Sequence, residues 1–272
     1  MNKFNANHIR KVVLDMAYSG ATVHIGCAFS IVELLAVLYR NHLQLDPATP
    51  ASPTRDYLVL SKGHGVMAQY ACLHELGLLT DQDMVLYFKD GTRLKGLADA
   101  HVPGVEATTG SLGHGLSVAA GLALASKLNQ TRQLCYALVG DGELNEGAIW
   151  EAALFAAHFK LDNLVVIIDK NGFQAMGLTN DVIALGNIED KFRAFGFDAI
   201  TIDGHDEVAI DAAYTSLRAA SNGRPKAIVA ISVKGKGVSF MEHNNIWHYT
   251  RLTPETHAAA IAELAENEMR TA

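Results

Sequence analysis

The chain has 272 residues, a formal net charge of −7 and an apolar content of 49%. This length accommodates one large α/β domain or two small ones, and the apolar content is ample for a sizeable core. The negative charge argues against nucleic-acid binding, which favours basic surfaces. We find no apolar run of about eighteen residues and no apolar stretch near the N-terminus, so neither a membrane span nor a signal peptide is predicted. The three cysteines lie in apolar surroundings and indicate buried thiols in a reducing cytoplasm.

Helical patterns and apolar strands alternate along the chain. The predicted helices are residues 5–19, 30–41 with Ser30 as N-cap, 63–76, 81–89, 116–127, 146–160, 208–220 and a C-terminal helix from about Pro254. The predicted strands are residues 57–61, 134–139, 164–168, 199–202 and 227–233. Residues 92–109 have little periodicity and are predicted to form a long functional loop. The alternation predicts a doubly wound parallel sheet with helices on both faces, in a single domain over residues 1–272.

Two of the predicted strands end in polar residues that suit a metal ion. Asp141 follows strand 134–139 in the sequence Gly-Asp-Gly-Glu, and Asn171 follows strand 164–168 in Asp-Lys-Asn. Because a helix lies between them, the two strands form a strand–helix–strand unit whose strand ends emerge at the same edge of the sheet. One carboxylate and one amide oxygen suit Mg²⁺, which keeps a water and takes further oxygens from a diphosphate.

Glycines near these residues favour a phosphate ligand. Gly140 and Gly142 flank Asp141 and let backbone amides approach a phosphate closely. A dinucleotide-binding fold is the nearest alternative, but it needs Gly-x-Gly-x-x-Gly, and here the third glycine, Gly147, is out of register. His64, in the segment Lys-Gly-His-Gly that begins a helix after a strand, is a reasonable phosphate donor at a second anion site.

The twelve histidines raise the alternative of a zinc site. The sequence contains no His-Glu-x-x-His and no cysteine pair at ligand spacing, so zinc is not predicted. Considered singly, His24 is typical of a partly buried structural histidine. His248 is equally typical of a surface histidine, and Lys234 of a solvated lysine.

Together these segments resemble the N-terminal, diphosphate-binding part of transketolase, a family that uses thiamine diphosphate. Besides the strand ends at Asp141 and Asn171, the resemblance rests on several separated segments in the family's order. These are residues 60–65, 108–115, 143–147 and 234–237, followed by Trp247-His248. The resemblance covers nearly the whole chain and implies a thiamine-diphosphate-binding fold.

The resemblance implies a role for each candidate residue. Mg²⁺, or another divalent cation such as Ca²⁺ or Mn²⁺, would be held by Asp141, Asn171 and the backbone carbonyl of Phe173. His24 and His248 would face the reacting carbon and the substrate oxygens. Glu151 would lie near the subunit interface, as would Glu146. The cofactor would be contacted by His64, Gly110, Ser111, Leu112, Gly142, Glu146, Asn171, Lys234 and His248.

The resemblance also implies a partner. A full-length transketolase continues into pyrimidine-binding and C-terminal domains, and the pyrimidine-binding domain carries the glutamate that activates the cofactor. The chain therefore resembles the smaller subunit of a split transketolase. We expect it to be inactive without a C-terminal transketolase subunit, with which it would assemble as α2β2. The expected activity is transfer of a two-carbon ketol unit between sugars or sugar phosphates.

Two positions depart from the family pattern. Leu97 stands where the family usually has a histidine that binds a donor hydroxyl, and Val23 stands where glycine commonly precedes the active-site histidine. Losing that hydrogen bond at a buried contact would cost about 1–3 kcal/mol. Either His101, four residues further along the loop, replaces the missing histidine, or the donor lacks that hydroxyl. His101 is therefore a third candidate catalytic residue.

Two alternative functions stay open at this point. One is a thiamine-dependent acyl transfer from a 2-oxo acid such as pyruvate, with release of CO₂; Leu97 favours it and the set of three histidines does not. The other is a non-catalytic cofactor-binding module, against which the intact set of metal and diphosphate residues argues.

Overall fold

The computed structural model describes residues 3–131 and 133–271. Its main sheet has five parallel strands in the order β1-β2-β3-β7-β6. A two-residue antiparallel hairpin, β4–β5, follows β3. The strands are β1 Tyr57–Leu60, β2 Cys135–Gly140, β3 Leu164–Lys170, β4 Phe173–Gln174, β5 Gly177–Leu178, β6 Asp198–Asp203 and β7 Lys226–Ile231.

Helices cover both faces of the sheet, in agreement with the predicted fold class. Alternate residues of β3 show why: Val165 and Ile167 pack into one core cluster, whereas Val166 and Ile168 pack into the other. Continuously apolar strands are expected where both faces are covered. The α-helices are α1 Ala6–Ser19, α2 Ile25–Phe29, α3 Val32–Val37, α4 Val66–Leu76, α5 Asp81–Val85, α6 Gly115–Leu128, α7 Gly147–His158, α8 Thr179–Val182, α9 Ile188–Ala194, α10 Glu207–Ala219 and α11 Pro254–Thr271.

Short helical turns connect several of these elements. A π-helical turn, Leu38–His42, continues α3, and 3₁₀ turns span Gly63–Gly65, Gly142–Asn145 and Asn245–His248. The Gly63–Gly65 turn leads directly into α4, as the sequence predicts for a helix that begins at Gly63.

Some local predictions are wrong. Ser30 ends α2 instead of capping a helix, because its hydroxyl donates to the buried Asp169 carboxylate (2.7 Å). The helix predicted over residues 81–89 ends at Val85. Between β3 and β6 the sequence analysis missed the β4–β5 hairpin and two helices, α8 and α9, which are too short to carry a clear periodicity.

Two predictions about the chain's environment can be compared with the structure. Cys27, Cys72 and Cys135 are free, buried thiols, as predicted. Among the described residues, no helix combines the length and the apolar character that a membrane crossing needs.

Candidate functional site

The carboxyl ends of β2 and β3 meet at the edge of the sheet, as the sequence predicts. Gly140 is paired with Asp169 in the strand register, and the amide of Asp141 donates to the carbonyl of Asp169 (3.1 Å). Asp141 and Asn171 therefore lie together and line one cavity of about 560 Å³. This cavity is the candidate cofactor site.

Asp141 is a buried carboxylate held by backbone amides. Its Oδ1 accepts from the amide of Gly142 (2.8 Å), and its Oδ2 accepts from the amide of Gly172 (2.7 Å) and the hydroxyl of Thr179 (3.2 Å). Burial and the nearby charge of Asp169 raise the pKa of Asp141 to about 6. A cation bound to this carboxylate would offset both effects.

A buried ion pair underlies the metal-site candidates, and the sequence analysis did not assign it a role. Lys62 Nζ donates to Asp169 Oδ2 (2.5 Å), and Asn171 Nδ2 donates to the same oxygen (2.8 Å). Burial disfavours both charges, but their mutual attraction outweighs it, so the pKa of Lys62 is raised and that of Asp169 is lowered. Asn171 is thus oriented by a charged pair. The position of Lys62, two residues after the end of β1 and two before His64, is the signal that could have identified it.

Three imidazole rings meet on the other side of the cavity. The ring centroids of His24, His64 and His248 lie 5.2 Å (His24–His64), 5.4 Å (His24–His248) and 5.7 Å (His64–His248) apart. Burial lowers the pKa of all three, and the neighbouring lysines lower it further; for His248 the pKa falls to about 3. The three histidines are therefore neutral near pH 7.

Lys234 sets the tautomer of His248. Its buried ammonium group lies 2.9 Å from His248 Nδ1 and donates to Asn245 Oδ1 (2.9 Å). Because a charged ammonium group can only donate, Nδ1 is the acceptor and Nε2 carries the proton. Burial lowers the pKa of Lys234. The lysine is a buried cation that an anion in the cavity would stabilise.

Glu143 joins three of the segments that carried the resemblance. Its buried carboxylate accepts from the hydroxyl of Ser61 and from the amides of Gly113 (2.8 Å) and Gly140 (3.0 Å). These donors come from the end of β1, the loop before α6 and the end of β2. The glutamate therefore holds the glycine-rich loop 108–115 against the strand ends.

Two residues that line the cavity also carry unpaired donors. Asn145 Nδ2 and Gln174 Nε2 are buried and have no hydrogen-bond partner in the described parts of the chain, and both residues line the cavity. Buried polar groups are rarely left unpaired, so two such donors beside three imidazoles fit anionic oxygens. Within residues 3–131 and 133–271, no group of three His, Cys, Asp or Glu side chains could hold a metal. The candidate set instead combines one carboxylate, one amide and one backbone carbonyl.

Most of the predicted site residues lie together. Those that line the cavity are His24, His64, Gly110, Leu112, Asp141, Gly142, Glu146, Asn171, Phe173 and His248. Lys234 joins them through its contact with His248, whereas Ser111, between two lining residues, is exposed and does not line the cavity.

His101 lies apart from this group. Its side chain is 90% exposed, and its Nδ1 lies 2.7 Å from Asp99 Oδ1. It does not line the cavity, although Leu97 does. Its catalytic role stays a prediction.

Comparison with known proteins identifies the family. Residues 1–267 match the family described as transketolase, thiamine diphosphate binding domain. The chain is 40% identical over 258 residues to a subunit of the apulose-4-phosphate transketolase of Actinobacillus succinogenes (94% of this chain, 93% of the relative). It is 42% identical over 260 residues to the 6-deoxy-6-sulfo-D-fructose transketolase subunit SqwG of Clostridium sp. (95% of this chain, 94% of the relative).

Solved structures agree with this result. Transketolase from Campylobacter jejuni is 29% identical and superposes with a TM-score of 0.91 over 97% of this chain and 43% of its own. Transketolase from Leishmania mexicana is 32% identical, with a TM-score of 0.88 over 96% of this chain and 40% of its own. The chain thus spans about two fifths of these full-length enzymes. The predicted resemblance is confirmed, and so is the prediction of a transketolase-type transferase subunit: the chain belongs to the transketolase family and corresponds to its thiamine-diphosphate-binding domain.

Proposed function

We propose that this chain is the diphosphate-binding subunit of a two-polypeptide transketolase that transfers a two-carbon ketol unit between sugars or sugar phosphates. One observation carries the proposal: a single cavity brings together a buried carboxylate at a strand end, three neutral imidazoles and a buried lysine. Relatives that match the chain over nearly their whole length are named as transketolase subunits.

The metal would bind at the ends of β2 and β3. Asp141, Asn171 and the backbone carbonyl of Phe173 would hold Mg²⁺, or Ca²⁺ or Mn²⁺ in its place, together with diphosphate oxygens. The raised pKa of Asp141 supports this assignment, because burial and Asp169 disfavour the charged form that a cation would stabilise. Asn171 is already oriented by Asp169 and by the amide of Phe173, which donates to its Oδ1 (3.0 Å).

The diphosphate would lie between the metal and the histidines. His64 and the unpaired amide donors of Asn145 and Gln174 would serve its oxygens, with Gly142 beside them, although the Gly142 amide already donates to Asp141 Oδ1. Gly110 and Leu112 would line the cofactor, with Ser111 and Glu146 beside them. Lys234 would supply positive charge through the same cavity wall.

When bound, thiamine diphosphate supplies the nucleophilic carbon and the electron sink. The chain's own residues would orient the substrate and move protons at its oxygens. His248 can donate from Nε2, because Lys234 occupies its Nδ1. His24, neutral at pH 7, can accept or donate a proton at the same place.

A partner subunit would complete the site. The pyrimidine-binding domain and its activating glutamate would come from a C-terminal transketolase subunit, and we infer an α2β2 assembly of the two chains. The buried, free thiols fit the reducing cytoplasm as the compartment.

Acyl transfer from a 2-oxo acid is the second candidate. Leu97, 44% exposed, lines the cavity where a hydroxyl-binding histidine is expected. A donor without that hydroxyl, such as pyruvate, would fit this apolar wall.

Reconstitution tests both functions. The purified chain is mixed with a C-terminal transketolase subunit as candidate partner, Mg²⁺ and thiamine diphosphate, and products are identified from xylulose 5-phosphate, from fructose 6-phosphate and from pyruvate. Ketol transfer from a ketose supports the first function; CO₂ release from pyruvate without ketol transfer supports the second. Absence of both activities in a complex that binds the cofactor contradicts both.

A further inference from the structure

The side chain of Asn245 joins two walls of the candidate cofactor cavity. Asn245 begins the 3₁₀ turn Asn245–His248. Its Oδ1 accepts from Lys234 Nζ (2.9 Å), and its Nδ2 donates to the backbone carbonyl of Ala175 (3.2 Å). Ala175 lies between β4 and β5, in the turn of the hairpin that begins at Phe173. The Asn245 amide thus connects the lysine after β7 with this hairpin, and nothing in the proposed function uses it.

The two contacts determine which end of the amide faces the lysine. An ammonium group can only donate and a carbonyl group can only accept, so Oδ1 faces Lys234 and Nδ2 faces Ala175. The opposite orientation would lose both hydrogen bonds. Asn245 therefore presents an acceptor to the lysine in a defined direction.

The lysine needs this acceptor to stay at His248. Its side chain is flexible, and its ammonium group is a compact charge that can turn toward other acceptors. Nζ lies 2.9 Å from Asn245 Oδ1 and from His248 Nδ1, and 5.7 Å from the centroid of the Phe173 ring. Because Lys234 is fully buried, the loss of one acceptor would be costly unless the ammonium group moved toward another.

A second neighbour of His248 shows why the position of the lysine matters. Cys27 Sγ lies 3.5 Å from the same ring nitrogen, Nδ1. A thiol is both a weak donor and a weak acceptor, so this contact is compatible with a proton on either ring nitrogen. The ammonium group of Lys234 is compatible with only one arrangement, because it requires Nδ1 to accept. The proton of His248 is therefore fixed on Nε2 while the ammonium group is held at Nδ1.

We propose that Asn245 is a positioning residue for His248. It holds the Lys234 ammonium group at Nδ1 and thereby keeps the proton on Nε2, the nitrogen that is left for a substrate oxygen. The contact with Ala175 keeps the Asn245 amide in the orientation that this role requires. The importance of the proton for ketol transfer rests on the proposed function, whereas the effect of Asn245 on the imidazole ring does not.

NMR of the histidine rings tests the proposal without the cofactor. The full chain is labelled with ¹⁵N in its histidine rings, and His248 is assigned from the signals that disappear in His248→Gln. In the wild type we expect a proton on Nε2 and an Nδ1 chemical shift displaced by the hydrogen bond from the ammonium group. In Asn245→Ala this displacement should be lost, and a population with the proton on Nδ1 should appear. Lys234→Met, which removes the ammonium group, should give the same changes.

Asn245→Asp separates the acceptor from the rest of the side chain. Aspartate keeps an oxygen for Lys234 but has no donor for the carbonyl of Ala175. We therefore expect the Nδ1 shift of His248 to stay displaced in Asn245→Asp. Asn180→Ala is the matched control and should leave the ring signals unchanged, because Asn180 is exposed and does not line the cavity.

Two NMR results would overturn the proposal. One is a wild-type His248 spectrum in Asn245→Ala. The other is an equal loss of the Nδ1 displacement in Asn245→Asp and Asn245→Ala, which would show that Asn245 only braces the hairpin. Circular dichroism verifies that each variant is folded, and the nearly isosteric Asn245→Leu replaces Asn245→Ala if the alanine variant does not fold.

Steady-state kinetics link the ring to the reaction. In the reconstituted complex we expect kcat for ketol transfer to fall about tenfold in Asn245→Ala and to stay near the wild-type value in Asn245→Asp. KM for the ketose should not change, and the affinity for thiamine diphosphate should not weaken, because the lysine remains beside the cavity. An equal fall of kcat in both variants, or a fall that follows weaker cofactor binding, would overturn the proposal. A wild-type complex that binds the cofactor but transfers no ketol, while the ring signals respond as expected, would instead contradict the proposed function.

Discussion

Among the residues of the candidate site, Asp141 has the surroundings that best fit a bound cation. It is buried, it accepts three hydrogen bonds, and it lies near a second buried carboxylate, Asp169. Hydrogen bonds alone do not compensate for this environment, since the pKa of Asp141 remains raised to about 6. Without a metal, the charged carboxylate therefore lowers the stability of the fold. A bound cation would offset this destabilisation.

Removing either side chain of the metal set should abolish metal-dependent cofactor binding. We expect Asp141→Ala and Asn171→Ala each to weaken Mg²⁺-dependent binding of thiamine diphosphate by about 10²-fold or more, with the fold intact. Calorimetry on the reconstituted complex measures the affinity, and circular dichroism measures the fold. Asp181→Ala and Asn180→Ala, at exposed positions of α8, are matched controls. Unchanged affinity in the Asp141 or Asn171 variant would contradict the metal assignment.

The raised pKa of Asp141 predicts a pH dependence of stability without metal or cofactor. The folded-state pKa of about 6 lies above the ordinary value of 3.8, so the unfolded state loses its proton first as the pH rises. The stability of the wild type relative to Asp141→Asn should therefore decrease between about pH 4 and pH 6 and then level off. Denaturant unfolding at a series of pH values measures this difference. A difference that grows with pH would refute the assignment.

The position of His101 is relevant to whether this residue replaces the family histidine that is missing at Leu97. Because its exposed ring is paired with Asp99, we expect His101→Ala to have little effect on turnover of a ketose donor, and Leu97→His to change donor preference more. Initial rates on a ketose phosphate and on pyruvate, with partner present, measure both. A loss of roughly 10²-fold in His101→Ala would instead show that the loop brings this imidazole to the reaction.

At the scale of elements, the loop after β7 places Lys234 and depends on a buried network. His205 Nε2 accepts from the amide of Val233 (2.8 Å), and its Nδ1 lies 2.9 Å from Glu33 Oε2. Glu33 in turn accepts from the buried Arg10 guanidinium (2.7 Å), and together with His205 this lowers the pKa of Glu33 to about 2, despite its burial. Residues of α1, α3 and the segment after β6 thus hold the backbone next to Lys234 in place.

Substitution of a glycine in the loop after β7 tests how tightly this loop packs against its neighbours. Gly235 has a φ of 81°, and a Cβ there would lie 2.3 Å from the carbonyl oxygen of Met241; Gly186 has a φ of 62° and open space around it. We expect Gly186→Ala to cost about 1–2 kcal/mol from backbone strain alone. Gly235→Ala should cost about 3 kcal/mol or more and weaken cofactor binding, because the loop must shift. Denaturant unfolding and calorimetry measure the two effects. Equal losses in the two variants would contradict the close packing of the loop.

At the scale of the whole molecule, an exposed apolar surface near the end of α7 is a candidate partner-binding surface. Helix α7, which begins beside the cofactor cavity and carries Glu151, leaves Leu154, Phe155 and Phe159 at its far end largely or partly exposed. Apolar residues grouped in this way are typical of surfaces that another chain covers.

We expect the isolated chain to be inactive and its mixture with the C-terminal subunit to be active. Native mass spectrometry of the mixture should give two copies of each chain, and ketol transfer should appear only when both are present. The reason is chemical: the proposed site would hold the diphosphate end of the cofactor, whereas the activating glutamate would come from the proposed partner. Robust ketol transfer by the purified single chain would contradict this expectation.

The class of fold, the edge of the sheet that carries the site, and the family could all be predicted from the sequence. These follow from local patterns, because buried parallel strands are continuously apolar and Asp141 and Asn171 directly follow two of them. His24 and His248 were assigned only through the resemblance, since each has an ordinary appearance in its own local sequence, whereas His64 was also predicted from its position at the start of a helix.

The interactions that depend on distant segments became visible only in the folded chain. The pairing of Lys62 with Asp169, the contact of Lys234 with His248 and the linking role of Glu143 each join residues that are separate along the chain. The same is true of the cavity of about 550 Å³ beside His24, whose wall is built from five separate segments of the chain. Periodicity and spacing describe neighbours in sequence, whereas burial, pKa and cavity shape depend on which segments pack together.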